Sequence, residues 1–131
     1  MLSGCGDDPR VVLRCPGAAP RTVHVEVART AEARRRGLMG RSGLAPGTGL
    51  LLAFPTEDEV CVRNAGVPFA IDALFARESG ELSAVHRFGP DEDVARCALA
   101  RTVLEVAAGA LPGAGEGCVL ERVELALPAA L

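Results

Sequence analysis

A chain of 131 residues with 49% hydrophobic content is long enough to bury one real core and too short for two domains. No apolar run reaches the roughly 18–20 residues that a membrane span needs. A net charge of −3, with no Trp or Tyr, argues against a nucleic-acid partner and against the flat aromatic platforms that hold sugars.

The chain divides into a tether over residues 1–10 and a single β domain over 11–131. Leu2-Ser3-Gly4-Cys5 has the form of a bacterial lipobox, in which small residues precede a cysteine that is acylated and becomes the mature N-terminus. The charged and apolar regions of a signal peptide do not precede it, so translation is expected to begin upstream of Met1. Val11 to Cys15 reads as a short strand, followed by a turn over residues 16–20. Thr22 to Ala28 alternates, with Val23, Val25 and Val27 on one face and His24 and Glu26 on the other, which predicts a half-buried strand. Thr30 is a good N-cap and Glu32 suits the first turn of a helix over about residues 30–38. That helix ends at Gly37 or Gly40 and docks through Leu38 and Met39, since two to three turns are not stable alone.

Leu50 to Phe54 is an unbroken apolar run, predicted as a strand covered on both faces and stopped by Pro55. Glu57-Asp58-Glu59 reads as a solvated turn. Val60 to Arg63, Phe69 to Arg77 and Leu82 to Phe88 read as further strands, the last two joined by a turn at Ser79-Gly80. After a polar loop from Asp91 to Arg96, Leu99 to Val106 alternates with Arg101, Val103 and Glu105 on one face. Gly109 to Gly117 is a loop, and Cys118 to Leu125 is the closing strand. Close-set strands with turns between them predict a mainly β fold: a compact antiparallel β-sandwich of jelly-roll type, or a small barrel, with one short docked helix.

All 14 basic residues are Arg, and Ile71 and Asn64 are each the lone residue of their type. This is the usage of a GC-rich genome, in which residues with AT-rich codons persist where they are needed. With Cys5 assigned to lipidation, Cys15, Cys61, Cys97 and Cys118 form an even set with three possible pairings, which suits an oxidising compartment. No C-x-x-C occurs, and His24 and His86 are too few and too scattered for zinc, so neither metal nor cofactor is expected. No established catalytic motif is present, and no catalytic residue is assigned.

Four ordered stretches carry a resemblance. Thr30-Ala31-Glu32-Ala33-Arg34-Arg35-Arg36-Gly37-Leu38-Met39-Gly40-Arg41 is similar to a T-x-E-E-R-x-R-G-L-M-x-R signature. Gly49 to Pro55 is similar to G-M-L-F-x-F-P, Phe69 to Phe75 to x-P-[LI]-D-x-x-F, and Ala100 to Val106 to A-R-Y-V-L-E-V. Together they resemble domain-of-unknown-function family 192 from about Thr22 to Gly109. The resemblance implies a compact β fold with short helices, often behind a signal peptide or lipobox, and no established activity. The chain departs from the family pattern at Ala70, where a Pro is usual, at Thr102, where an aromatic is usual, and at Val62 to Gly66, where an aromatic-Met-Lys-Asn stretch is usual.

The polar residues shared with the family are Glu32, Arg34, Arg41, Asp72, Arg101 and Glu105, with Asn64 added. Buried acids in apolar strands need Arg partners, and that is the structural role open to Asp72 and Glu105. The functional role is a cleft of Arg34, Arg41, Asn64, Asp72, Arg101 and Glu105 that binds a small anion or a peptide carboxylate through Arg forks. The resemblance also places Cys61 and Cys97 around that cleft, hence a Cys61–Cys97 disulfide. Cys15 and Cys118 lie in the outermost strands, which meet when a small β domain closes, hence Cys15–Cys118. The expected function is a non-catalytic ligand- or protein-binding accessory module, exported and held on the periplasmic side by the lipid at Cys5. The alternative is a small hydrolase-like enzyme with Asp72 or Glu105 as general base.

Overall fold

A computed structural model describes residues 8–123, so Cys5 and the end of the closing strand lie outside the described residues. The elements in chain order are β1 (Arg10–Arg14), β2 (Arg21–Ala28), α1 (Ala31–Arg36), β3 (Thr48–Val62), β4 (Ile71–Ala76), β5 (Leu82–Phe88), β6 (Arg96–Ala107) and β7 (Val119–Val123). They form one seven-stranded sheet in the order β5-β4-β6-β3-β2-β1-β7. The sheet curls until its two edges touch. Glu81 bridges Val119, the Leu120 N–H donates to the Gly80 carbonyl at 2.7 Å, and the Leu82 N–H donates to the Cys118 carbonyl at 3.1 Å. The fold is a small, partly closed β barrel.

Every neighbouring pair is antiparallel except one. β2 and β3 run parallel, with His24 opposite Thr48 and Ala28 opposite Leu52. Parallel neighbours need a long crossover, and the segment carrying α1 supplies it. The helix is therefore a consequence of this topology rather than an ornament on an all-antiparallel sheet.

Curling gives the central strands two apolar faces to cover. On one face Leu51, Leu74 and Leu104 pack with Val11, Val23 and Leu120. On the other, Leu50, Leu52, Ala73, Phe75 and Val103 pack with Leu38 from the segment after α1 and with Val62 and Val67. Residues 71–76 are buried without interruption for this reason. Pro55 does not stop β3. The register with β6 slips between Ala53 and Asp58, and Pro55 occupies this bulge, where no ladder N–H is required. The acidic residues 57–59 accordingly lie along the strand rather than in a turn.

The Thr30 side chain accepts the Ala33 N–H at 3.0 Å and caps α1. Leu38 is buried, whereas Met39 is 47% exposed, so of the two Leu38 anchors the segment, with Ala33 and Leu44 packed beside it. Cys15 bonds Cys118 with Cα atoms 4.2 Å apart, fastening β1 to β7, and Cys61 bonds Cys97 with Cα atoms 4.0 Å apart, fastening β3 to β6. Two bridges suit an oxidising, extracytoplasmic compartment. Among the described residues no helix is long and apolar enough to cross a membrane.

Candidate functional site

Glu105 sits in mid-β6 with Leu50 of β3 and Ala73 of β4 directly opposite on its two sides. It is 4% exposed, and its carboxyl makes no hydrogen bond or ion pair among the described residues. Burial pushes its carboxyl up to about 7, against which the Arg41 charge pulls only in part. Directly above it the chain leaves α1 through Gly37, at φ 52°. A Cβ there would stand 3.8 Å from Glu105 Oε1. That is an ordinary contact, so it is the positive φ that favours glycine here.

Glu105 lies at the base of a cleft of about 420 Å³ between residues 34–39 on one side and residues 61–67 on the other. Asn64 shares that cleft and is fully buried. Its Nδ2 donates to the Phe69 and Gly89 carbonyls, both at 2.9 Å, which pins the loop after β3 to the loop after β5. Two carbonyls demand the NH₂ on that side, so Oδ1 is held facing away from them. That oxygen has no hydrogen-bond partner. Four arginines also line the cleft. Arg34 donates to the carbonyls of Arg29 and Ala53, each at 2.9 Å, and lies over the Phe54 ring. Arg63 pairs with Asp93 at 3.0 Å. Arg35 and Arg36 are exposed, and their side chains have no hydrogen bond or ion pair among the described residues. The Cys61–Cys97 bridge reaches the same cleft through Cys61.

The six residues expected to line one cleft are divided among four places. Arg34, Asn64 and Glu105 share the cleft. Asp72 does not. The pairing of Ala73 with Glu105 puts Asp72 on the opposite face of the sheet, because successive strand residues alternate. There Asp72 receives Arg87 Nε at 2.7 Å, Arg87 Nη2 at 3.0 Å and the Gly109 N–H at 2.9 Å. Burial pushes the Asp72 carboxyl up, but Arg87 and Gly109 outweigh it and hold it below the usual range. Arg101 lies two turns of the pleat from Glu105 and donates to the Phe54 carbonyl and to Glu78, which also pairs with Arg122. Arg41 makes a two-pronged bridge to Glu26, at 2.8 and 3.0 Å, beside the cleft rather than in it. The basic residues that the sequence singles out, Arg34, Arg41 and Arg101, all have partners. Arg35 and Arg36, beside Arg34 in the same run, were passed over, and their exposure on α1 was the one signal for them.

The model of family 192, described as uncharacterised ACR, matches residues 12–117. The chain belongs to this family. The match takes in β1 and the loop before β7, beyond the stretch from 22 to 109 that carries the sequence motifs. Two solved structures share the family member's fold. A protein of Sinorhizobium meliloti 1021, described as a candidate transcription regulator, is 27% identical, with a TM-score of 0.84 over 90% of this chain and 95% of that one. A protein of unknown function from Novosphingobium aromaticivorans is 20% identical, with a TM-score of 0.80 over 86% of this chain and 83% of that one. No curated protein matches the chain.

Proposed function

We propose that the domain is a non-catalytic binding module that takes a small polar ligand in the cleft between α1 and residues 61–67. In this reading it works outside the cytoplasm, tethered through the residues that follow Cys5 to a lipid on that cysteine. The observation that carries it is the pair of buried acceptors in one cleft, Glu105 and Asn64 Oδ1, neither with a donor from the described residues. An unsatisfied buried polar group costs about 1–3 kcal/mol, so a fold that retains two at the base of an open cleft gains by receiving donors there. A perturbed acid in a cleft is also a general marker of functional sites. The test is a screen of small-molecule classes (amino acids, carboxylates, sugars and phosphates) by amide NMR of the purified protein. Shifts centred on residues 34–39, 61–67 and 105 are expected from at least one class, and silence there from every class overturns the reading.

One observation favours a second reading. A carboxyl near pH 7 is suited to proton transfer, so Glu105 can serve as general base toward water in a small hydrolase. With water as the nucleophile the leaving group would still need an acid, and the residues lining the cleft include no His, free Cys or second carboxyl to supply one, which is why binding is preferred. Asp72 does not fit the base role, being ion-paired on the other face. Turnover of generic ester or amide substrates, lost in Glu105→Gln, would establish this second reading. A nucleic-acid partner is not proposed on the strength of the Sinorhizobium relative. The helix here has six residues, less than two turns, and the chain is acidic.

A further inference from the structure

Resting on the cleft being a ligand site, we infer that its ligand is a small zwitterion with an apolar side group. Its ammonium sits between Glu105 and Asn64 Oδ1, and its carboxylate meets Arg35 and Arg36 at the rim.

The base of the cleft presents acceptors. Asn64 cannot turn its NH₂ inward without abandoning the Phe69 and Gly89 carbonyls, so it offers only Oδ1. Glu105, once ionised, is an acceptor as well. With Glu105 ionised, an anion placed there would meet three oxygens and no donor, so a lone anion does not fit the base. An ammonium group has three donors and no acceptor, and it carries the charge that would bring the buried carboxyl back to its ionised form. Subtracting occupied side chains locates the second pole. Arg34 is held through Nη1 by two backbone carbonyls and Arg63 through Nη1 by Asp93, whereas the side chains of Arg35 and Arg36 have no partner among the described residues and are the cleft's least engaged cations. Between the poles, Leu38, Leu52 and Val67 offer an apolar wall. A volume of about 420 Å³ lies at the lower end of the range for small-molecule sites.

Free amino acids and the ends of short peptides share this chemistry, and four probes separate the possibilities. Isothermal titration of the purified protein would use L-leucine, N-acetyl-L-leucine without the ammonium, L-leucinamide without the carboxylate, and the dipeptide Leu-Gly. Leucine or Leu-Gly is expected to bind at least about tenfold more tightly than N-acetyl-leucine, the loss typical of a charged donor left unmade. Tighter binding of leucine assigns free amino acids, and tighter binding of Leu-Gly assigns peptide amino ends. In Glu105→Gln the preference over N-acetyl-leucine should collapse. In the double variant Arg35→Ala, Arg36→Ala the advantage of leucine over leucinamide should collapse. N-acetyl-leucine binding as well as leucine overturns the inference. So does a cleft that answers, by NMR, to another class of small molecule and to neither leucine nor Leu-Gly, and that result leaves the binding module standing. A cleft that answers to no class rejects the module as well.

Discussion

At Glu105 the native state keeps a proton that the unfolded chain gives up. The carboxyl titrates near 4.5 when free and is pushed up to about 7 by burial, among Arg41 and the arginines of the cleft. Native protein therefore binds more protons than unfolded protein between those values, and stability falls as pH rises through that window. The full loss, complete above about pH 7, is on the order of 3 kcal/mol. Glu105→Gln keeps the shape without the ionisation. It should match the parent near pH 5 and exceed it by about 2–3 kcal/mol near pH 8, measured by denaturant unfolding at each pH; a parallel pair of pH profiles would contradict this. Asp72 has the opposite sign. Its carboxyl is held below the usual value, so its contribution is present above pH 3.8 and is lost as pH falls through the lowered value. Asp72→Ala should cost about 2 kcal/mol at neutral pH, because Arg87 and the Gly109 N–H lose their acceptor. Cleft binding should survive that change, since Asp72 lies on the other face.

At the scale of elements, α1 is the least self-sufficient piece of the fold. Six residues cannot hold a helix in water, so its existence depends on its cap and on Leu38. Thr30→Ala should cost about 1 kcal/mol through the lost hydrogen bond to the Ala33 N–H, visible as a lower midpoint in urea. Because Gly37 and Arg34–Arg36 hang from this helix, the same variant should broaden cleft resonances more than those of β1 and β7. The Cys61–Cys97 bridge ties the outer half of β3 to β6 beyond the bulge, across a sequence separation of 36. Cys61→Ser with Cys97→Ser should lower stability by about 3–4 kcal/mol, because a loop of that length regains its freedom in the unfolded chain. Hydrogen exchange of the slowest amides, which open only with the whole domain, should speed up throughout the sheet, and unchanged rates there would count against it.

For the molecule as a whole, two bridges and a lipobox-like tetrapeptide point the same way. Mass spectrometry of the native protein from its own membranes is expected to show four oxidised cysteines and a mature chain beginning at acylated Cys5. Unmodified Cys5 in a cytosolic fraction would reject the tether. Much of the fold was legible in the residue order. Alternation in 22–28 and 99–106 marked β2 and β6, the apolar run from Leu50 marked a strand buried on both sides, and Thr30 with Glu32 marked the start of α1. These are local preferences, set by side-chain period and by capping, and they survive in any context that supplies a core. The motifs also carried the family, because they are read in order without coordinates. What stayed hidden was register and handedness of neighbours. Pro55 read as a stop because only the slip against β6 shows that it sits in a bulge. Asp72 and Glu105 read as companions because only the pairing of Ala73 with Glu105 turns them to opposite faces. The partners Arg87, Glu26 and Glu78 could not be assigned for the same reason. A strand's own sequence determines which residues alternate, whereas the choice of which face meets which charge belongs to the closure of the sheet, and that is decided by contacts far apart in the chain.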